Sequence, residues 1–300
     1  MLTEIRQLKK EKNAIILSHY YTRPEVQEIA DFVGDSLALA RKASETDADI
    51  ILFAGVHFMA ETAKILNPDK KVLIPDLSAG CSLADSCDAQ ELARFRQAYP
   101  SHLVVSYINC SAEVKAQSDL IVTSGNALKI VNTLPRDAKI LFVPDKNLGS
   151  YINRETGREL VLWDGACHVH HRISPQAVEE LQAAHPAART LAHPECQSDV
   201  LALADFVGST AAMLKEVAKS AQTEWIVITE AGILHELQKQ NPEKKFHFPA
   251  ANCSCCEYMK HNTLENILHA LETESPELIL APELIEKAKL PIVRMLELSK

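Results

Sequence analysis

The sequence predicts an α/β protein built from three homologous three-layer α/β/α units, with parallel sheets arranged around a pseudo-threefold axis. Two observations carry that expectation. Short, β-branched apolar runs alternate with segments of helical spacing along the chain, the pattern of parallel sheets covered on both faces. One stretch also recurs: Ile15–Ser36 (IILSHYYTRPEVQEIADFVGDS), Leu103–Ser124 (LVVSYINCSAEVKAQSDLIVTS) and Arg189–Thr210 (RTLAHPECQSDVLALADFVGST) align without a gap at offsets of 88 and then 86. Valine matches at Val26, Val114 and Val200, aspartate at Asp31, Asp119 and Asp205, and ADFVG occurs at both Ala30–Gly34 and Ala204–Gly208. A copied unit of this length is a supersecondary module, and modules on a closed axis bring equivalent positions together.

In chain order the strand-like runs are AIILS, DIILFAG, KVLIP, LVVSY, LIVTS, KILFVP, LVLW and EWIVITE, with helical spacing over 60–66, 127–134 and 211–220. The expected division is 1–98, 99–185 and 186–272 for the three repeats and 273–300 for a C-terminal helical segment. No Pro/Gly/Ser-rich linker interrupts the chain. Apolar residues make up 47% and charged residues 24%, which excludes disorder, collagen and coiled coil. A net charge of −9 without a basic stripe argues against nucleic acid as a partner. Apolar runs such as Ile50–Val56 are too short for a bilayer, so no membrane partner is expected. The charged start MLTEIRQLKKEK lacks a signal-peptide core, so the expected location is cytoplasmic. Eight cysteines in a reducing compartment point to buried thiols or metal ligands rather than disulfides.

Three phases of the repeat carry polar chemistry. The first lies at the end of the opening strand: His19 and Tyr21, Tyr107 and Asn109, His193 and Glu195. Residues i and i+2 share one side of an extended strand, and ligands of α/β sheets bind at strand carboxyl ends. The second phase is Ser36, Ser124 and Thr210, each opening a helical pattern. These hydroxyls are expected to be N-caps, at helix ends that suit anions.

The third phase is Cys81, Cys167 and Cys256, spaced by 86 and 89. Three thiolates converging on the axis are one short of the four that an iron–sulfur cluster commonly uses, which would leave one iron open as a Lewis acid. Zinc would accept three sulfurs and a water. Cys253-x-x-Cys256 also reads as a redox dithiol. Cys87, Cys110, Cys196, Cys253 and Cys255 lack a complete threefold partner set and read as structural or accessory.

The segments ILSHYYTRPEVQEIADFVGDSLALAR, FAGVHFMAETAKILNPDKKVLIPD, AGCSLAD, VPDKNLG, HPEC and CCEYMKHNTLENI together resemble the quinolinate synthase family over essentially the whole chain. The resemblance implies three similar units about a pseudo-threefold axis and one [4Fe–4S] cluster per chain, with three cysteine ligands and one open iron. The ligands match Cys81, Cys167 and Cys256, the last chosen because it precedes x-x-Met-Lys. It implies condensation of iminoaspartate with dihydroxyacetone phosphate to quinolinate, with loss of phosphate and water, in NAD biosynthesis. Functional coupling to an aspartate oxidase or dehydrogenase follows as an expectation. The implied substrate pocket holds His19, Ser36, Tyr107, Asn109, Ser124, His170, His193, Glu195 and Thr210. Chemistry favours Glu195 as acid/base group and Tyr21 as proton relay, with His19, His193 and His170 to orient or donate to carboxylates. Of the CHVHH histidines, His170 holds the family-like position, and His168 and His171 are expected in exposed loop positions. Two rivals are a zinc hydrolase using Cys167 with His168, His170 or His171, and a non-catalytic dicarboxylate-binding protein.

Overall fold

The computed structural model describes residues 1–250 and 254–300. Twelve strands among these residues form three four-stranded sheets. The first holds β1 (Ala14–His19), β2 (Phe32–Gly34), β3 (Ile50–Ala54) and β4 (Lys71–Leu73); the second β5 (Leu103–Tyr107), β6 (Leu120–Val122), β7 (Ile140–Val143) and β8 (Val161–Leu162); the third β9 (Arg189–Ala192), β10 (Phe206–Val207), β11 (Glu224–Ile228) and β12 (Lys245–His247). The orders β2-β1-β3-β4, β6-β5-β7-β8 and β10-β9-β11-β12 are one topology repeated. All pairings within these sheets are parallel. The protein is therefore α/β, with helices flanking each sheet.

The repeated residues have repeated duties. Asp31, Asp119 and Asp205 each accept the backbone N–H of the central strand, from Ile16 at 2.8 Å, Val104 at 2.8 Å and Thr190 at 2.7 Å. Each thereby fixes the start of the short neighbouring strand against its sheet. Val26, Val114 and Val200 are fully buried on the small helices between those strands. The glycine of ADFVG also has a cause. A Cβ on Gly34 would stand 2.9 Å from the Phe32 ring and 3.0 Å from Ala38 Cβ, and one on Gly208 2.7 Å from the Phe206 ring. The middle unit has the smaller Leu120 at the aromatic position and carries Val122 in place of glycine.

Side chains alternate between two cores along every central strand, as the period of two requires. Leu17, Ile51, Phe53, Val105, Phe142, Leu191, Trp225 and Val227 join one core shared by all three units. Ile16 and Leu52, Val104 and Leu141, and Ala192 and Ile226 face three separate outer cores. The first outer core is closed by Leu2–Glu11 and by Leu264–Thr273, through Ile5, Ile267, Ala270 and Leu271. The helix Pro282–Leu298 buries Ala288, Ile292 and Met295 in the shared core. Because Leu17, Val105 and Leu191 face inward, so do the residues two further on: His19, Tyr107 and His193.

Candidate active site

A cleft lies where the carboxyl ends of β1, β5 and β9 meet. It is lined by His19, Tyr21, Ser36, Cys81, Tyr107, Asn109, Ser124, Cys167, His170, His193, Glu195, Thr210 and Cys256. Every residue singled out in the three phases, with His170, thus faces one cavity. Among the described residues, no lysine or arginine lines it.

Glu195 is 3% exposed and is the centre of the polar network. Its Oε2 lies 2.7 Å from His170 Nδ1 and 3.5 Å from His193 Nδ1, the Tyr107 phenol also bonds the carboxyl, and its Oε1 has no geometric hydrogen-bond partner among the described residues. Burial alone would raise its pKa, but His170 and His193 outweigh burial and hold the carboxyl down at about 2. His19 and His193 are pushed down to about 3, first by burial, so both imidazoles are neutral near pH 7. His19 Nδ1 accepts the Tyr21 N–H at 3.2 Å and His193 Nδ1 the Glu195 N–H at 3.4 Å. Each ring therefore carries its proton on Nε2; that of His193 is 3.3 Å from Ser124 Oγ. Tyr21 and Tyr107 are held well above the ordinary phenol value, chiefly by burial, and stay protonated donors.

A hydrogen-bonded chain joins Tyr21 to Glu195. Tyr21 Oη is 2.7 Å from Thr229 Oγ1, Thr229 Oγ1 is 2.9 Å from His170 Nε2, and His170 Nδ1 reaches Glu195. Thr229 is fully buried and was not singled out by the sequence. Its equivalents in the other units are Gly55 and Pro144, so a search for threefold polar phases passes over it.

The hydroxyl phase differs from expectation by one residue. Asp35 caps Ser36–Glu45 through Ala38 N, and Ser209 caps Thr210–Lys219 through Ala212 N. The helix after Ser124 begins at Ala127, with Asn126 at its N-cap. Ser36, Ser124 and Thr210 are therefore not N-caps. The preceding residue, or in the second unit a later one, takes that position, and the phased hydroxyls are left facing the cavity.

Each phased cysteine sits at the N-cap of a short helix, Ser82–Asp85, His168–Arg172 or Glu257–Lys260. Burial pushes Cys81 up to about 12, Cys256 up to about 11 and Cys167 well above its ordinary value. Backbone N–H groups of Ala84, His170 and Met259 bond the respective sulfurs and work in the opposite direction. Three buried cysteine sulfurs facing one cleft, each with a backbone N–H donor, form a donor set that a thiophilic metal or iron–sulfur cluster fits. Cys255 is exposed, and Cys253 with its dithiol reading lies outside the described residues.

Two buried carboxylates hold the cysteine loops. Ala54, Val143 and Ile228 are equivalent by sheet register. Two residues beyond them stand Val56, Asp145 and Glu230. Asp145 Oδ2 accepts the Cys167 N–H at 3.2 Å, and Glu230 Oε1 accepts the Cys256 N–H at 3.1 Å. Glu230 also binds Lys260 Nζ at 2.9 Å and Gly232 N at 2.6 Å. In the first unit, with Val56, a backbone bond from His57 N to Ala79 O at 2.8 Å steadies the loop before Cys81.

The CHVHH histidines diverge. His170 is 2% exposed and enters the network. His168 is not an exposed loop residue: it begins a helix, lines the cleft, and places Nδ1 2.6 Å from Ser82 Oγ. His171 is exposed. Cys167, His170 and Glu195 do bring three donor atoms within 4.8 Å of one another, but neither neighbouring histidine joins them.

Residues 3–297 match the profile of the family described as Quinolinate synthetase A protein. A quinolinate synthase of Microcystis aeruginosa is 55% identical, covering all of this chain and 95% of the relative. A quinolinate synthase of Nostoc sp. is also 55% identical, covering all of this chain and 94% of the relative. That of Cyanophora paradoxa is 52% identical, covering all of this chain and 92% of its own length. With the triplicated fold and its converging site, these matches establish that the chain belongs to the quinolinate synthetase A family.

Proposed function

We propose that this chain condenses iminoaspartate with dihydroxyacetone phosphate to form quinolinate, releasing phosphate and water. Membership makes it an enzyme of the quinolinate synthase type, acting in NAD biosynthesis. The observation that carries the finer reading is the convergence on one cleft of three cysteines, three hydroxyls and three polar strand-end pairs, one set per unit. Cys81, Cys167 and Cys256 would hold a [4Fe–4S] cluster, whose open iron supplies a Lewis acid for loss of hydroxide.

The chain's own groups account for the rest. The substrates together carry two carboxylates and a phosphate, and the cleft offers them neutral donors: the Ser36, Ser124 and Thr210 hydroxyls, the Tyr107 phenol, Asn109 and the Nε2–H of His19 and His193. Glu195 is ionised near neutral pH, with Oε1 free, so it can take a proton from carbon beside an imine or carbonyl. The chain through His170 and Thr229 links Glu195 to Tyr21, which lines the same cleft and whose Oη can donate to a leaving oxygen. We place the reaction in the cytoplasm, where reducing conditions keep the thiols available, with an aspartate oxidase or dehydrogenase as supplier of the unstable imine.

Anaerobic incubation of the cluster-loaded protein with both substrates should yield quinolinate and phosphate. Single Cys81→Ser, Cys167→Ser and Cys256→Ser variants should lose iron and sulfide. Quinolinate formation by a colourless, iron-free protein would overturn the role of the cluster, and binding without turnover by loaded protein would favour the dicarboxylate-binding reading.

A further inference from the structure

At the opposite end of the third sheet, away from the cleft, three donor side chains converge. His185 follows the helix Pro175–Ala184, Glu224 opens β11 and His247 closes β12. His185 Nδ1 lies 3.2 Å and His247 Nε2 2.9 Å from the same Glu224 oxygen, Oε1. The donor atoms are all within 4.8 Å of one another. The two imidazoles stack with centroids 3.5 Å apart and planes at 16°. The side chains are 21–30% exposed, so one side of the cluster is open to water.

We propose that His185, Glu224 and His247 form a site for a borderline divalent transition-metal ion, Zn²⁺ foremost. Two imidazole nitrogens and one carboxylate oxygen are the donor set such ions prefer, with water completing the coordination. The carboxylate oxygen now takes a hydrogen bond from His247 Nε2 and lies 3.2 Å from His185 Nδ1. A bound ion would replace these contacts with coordinate bonds of about 2.0–2.2 Å. Each imidazole must bring the ion into its own plane, so the rings tilt out of their stack, and their partial exposure leaves room for it. The ion would tie the end of a helix to two adjacent strands.

The test uses cluster-loaded protein, in which the phased cysteines are occupied, and Co²⁺ as an optical substitute for Zn²⁺. One equivalent of Co²⁺ should bind with ligand-field bands, without thiolate charge-transfer bands, and Zn²⁺ should displace it. Bound Zn²⁺ should raise the Tm, as any ligand selective for the folded state does. His185→Ala and His247→Ala should each weaken Co²⁺ binding by at least about tenfold, and Glu224→Gln should weaken it too, with iron content and quinolinate formation unchanged. His185 lies at a helix end and is 30% exposed, so its variant should fold even if that of His247 does not. Thiolate bands, Co²⁺ affinity unaltered in His185→Ala and Glu224→Gln, or no binding at millimolar Co²⁺ would overturn the proposal. None of these outcomes bears on the reaction assigned to the cleft.

Discussion

At the scale of the residue, Glu195 and the phased hydroxyls make the sharpest predictions. Glu195→Gln keeps the shape and both hydrogen-bonding positions but removes the charge. Cluster content and substrate binding should persist, while turnover falls by about 10²-fold or more, the scale of a positioned acid or base. Near-normal turnover with full iron content would end the assignment, and Tyr21, at the far end of the chain through Thr229 and His170, would be the next residue to test. For the hydroxyls, the shift by one residue separates capping from binding. Asp35→Ala and Ser209→Ala each remove a cap that is made and should cost about 1 kcal/mol of stability. Ser36→Ala and Thr210→Ala should leave stability nearly unchanged and raise the Michaelis constants. The reverse pattern in melting temperature and KM would show that the cleft does not use these hydroxyls.

At the scale of the element, what the sequence discloses follows from the period of its structures. Strand-end pairs such as His193 and Glu195 were legible because they recur in register across the repeats, although the strands end at His19, Tyr107 and Ala192 and in the first and third units a turn, not an extended strand, follows. β2 and β10, three and two residues long, are too short to show a period. They are held by the Asp31 and Asp205 bonds to the neighbouring strand, which only tertiary structure reveals. The cap was misplaced at Ser36 and Thr210 because the residues before them, Asp35 and Ser209, are equally good caps, and the chain enters each helix one position earlier than expected. Asp145 and Glu230 escaped notice because their partners are backbone groups 22 and 26 residues away. Their duty can still be tested. Asp145→Asn and Glu230→Gln replace an acceptor with a group that must present its carbonyl side to keep the bond. Each should lower iron loading of the Cys167 or Cys256 corner while leaving the far-ultraviolet spectrum of the protein intact. Val56→Ala, at the equivalent place in the first unit, should leave loading unchanged. Equal loading in all three would reduce both acids to ordinary caps.

At the scale of the whole molecule, closure of three units on a shared core puts titratable groups out of reach of water, and this links stability to pH. His19 and His193 have folded pKa values of about 3 against an ordinary 6.5. Between those values the unfolded chain binds protons that the folded chain refuses, so these residues make the fold less stable as pH falls from about 6.5 toward 3. Glu195, depressed to about 2 from 4.5, adds loss in the same direction at lower pH. Asp35, Asp145 and Glu230, all raised by burial, work in the opposite sense, because the folded chain holds their protons more tightly than the unfolded one. The net curve therefore mixes both signs, and the informative measurement is a difference. In His19→Asn the amide oxygen takes the place of Nδ1 and can still accept the Tyr21 N–H, but the side chain no longer titrates. Unfolding of the cluster-free proteins should show wild type losing more stability than His19→Asn on going from pH 7 to pH 5. Parallel curves would mean that His19 takes up its proton inside the fold, and that water reaches this end of the cleft far more freely than a side chain 4% exposed allows.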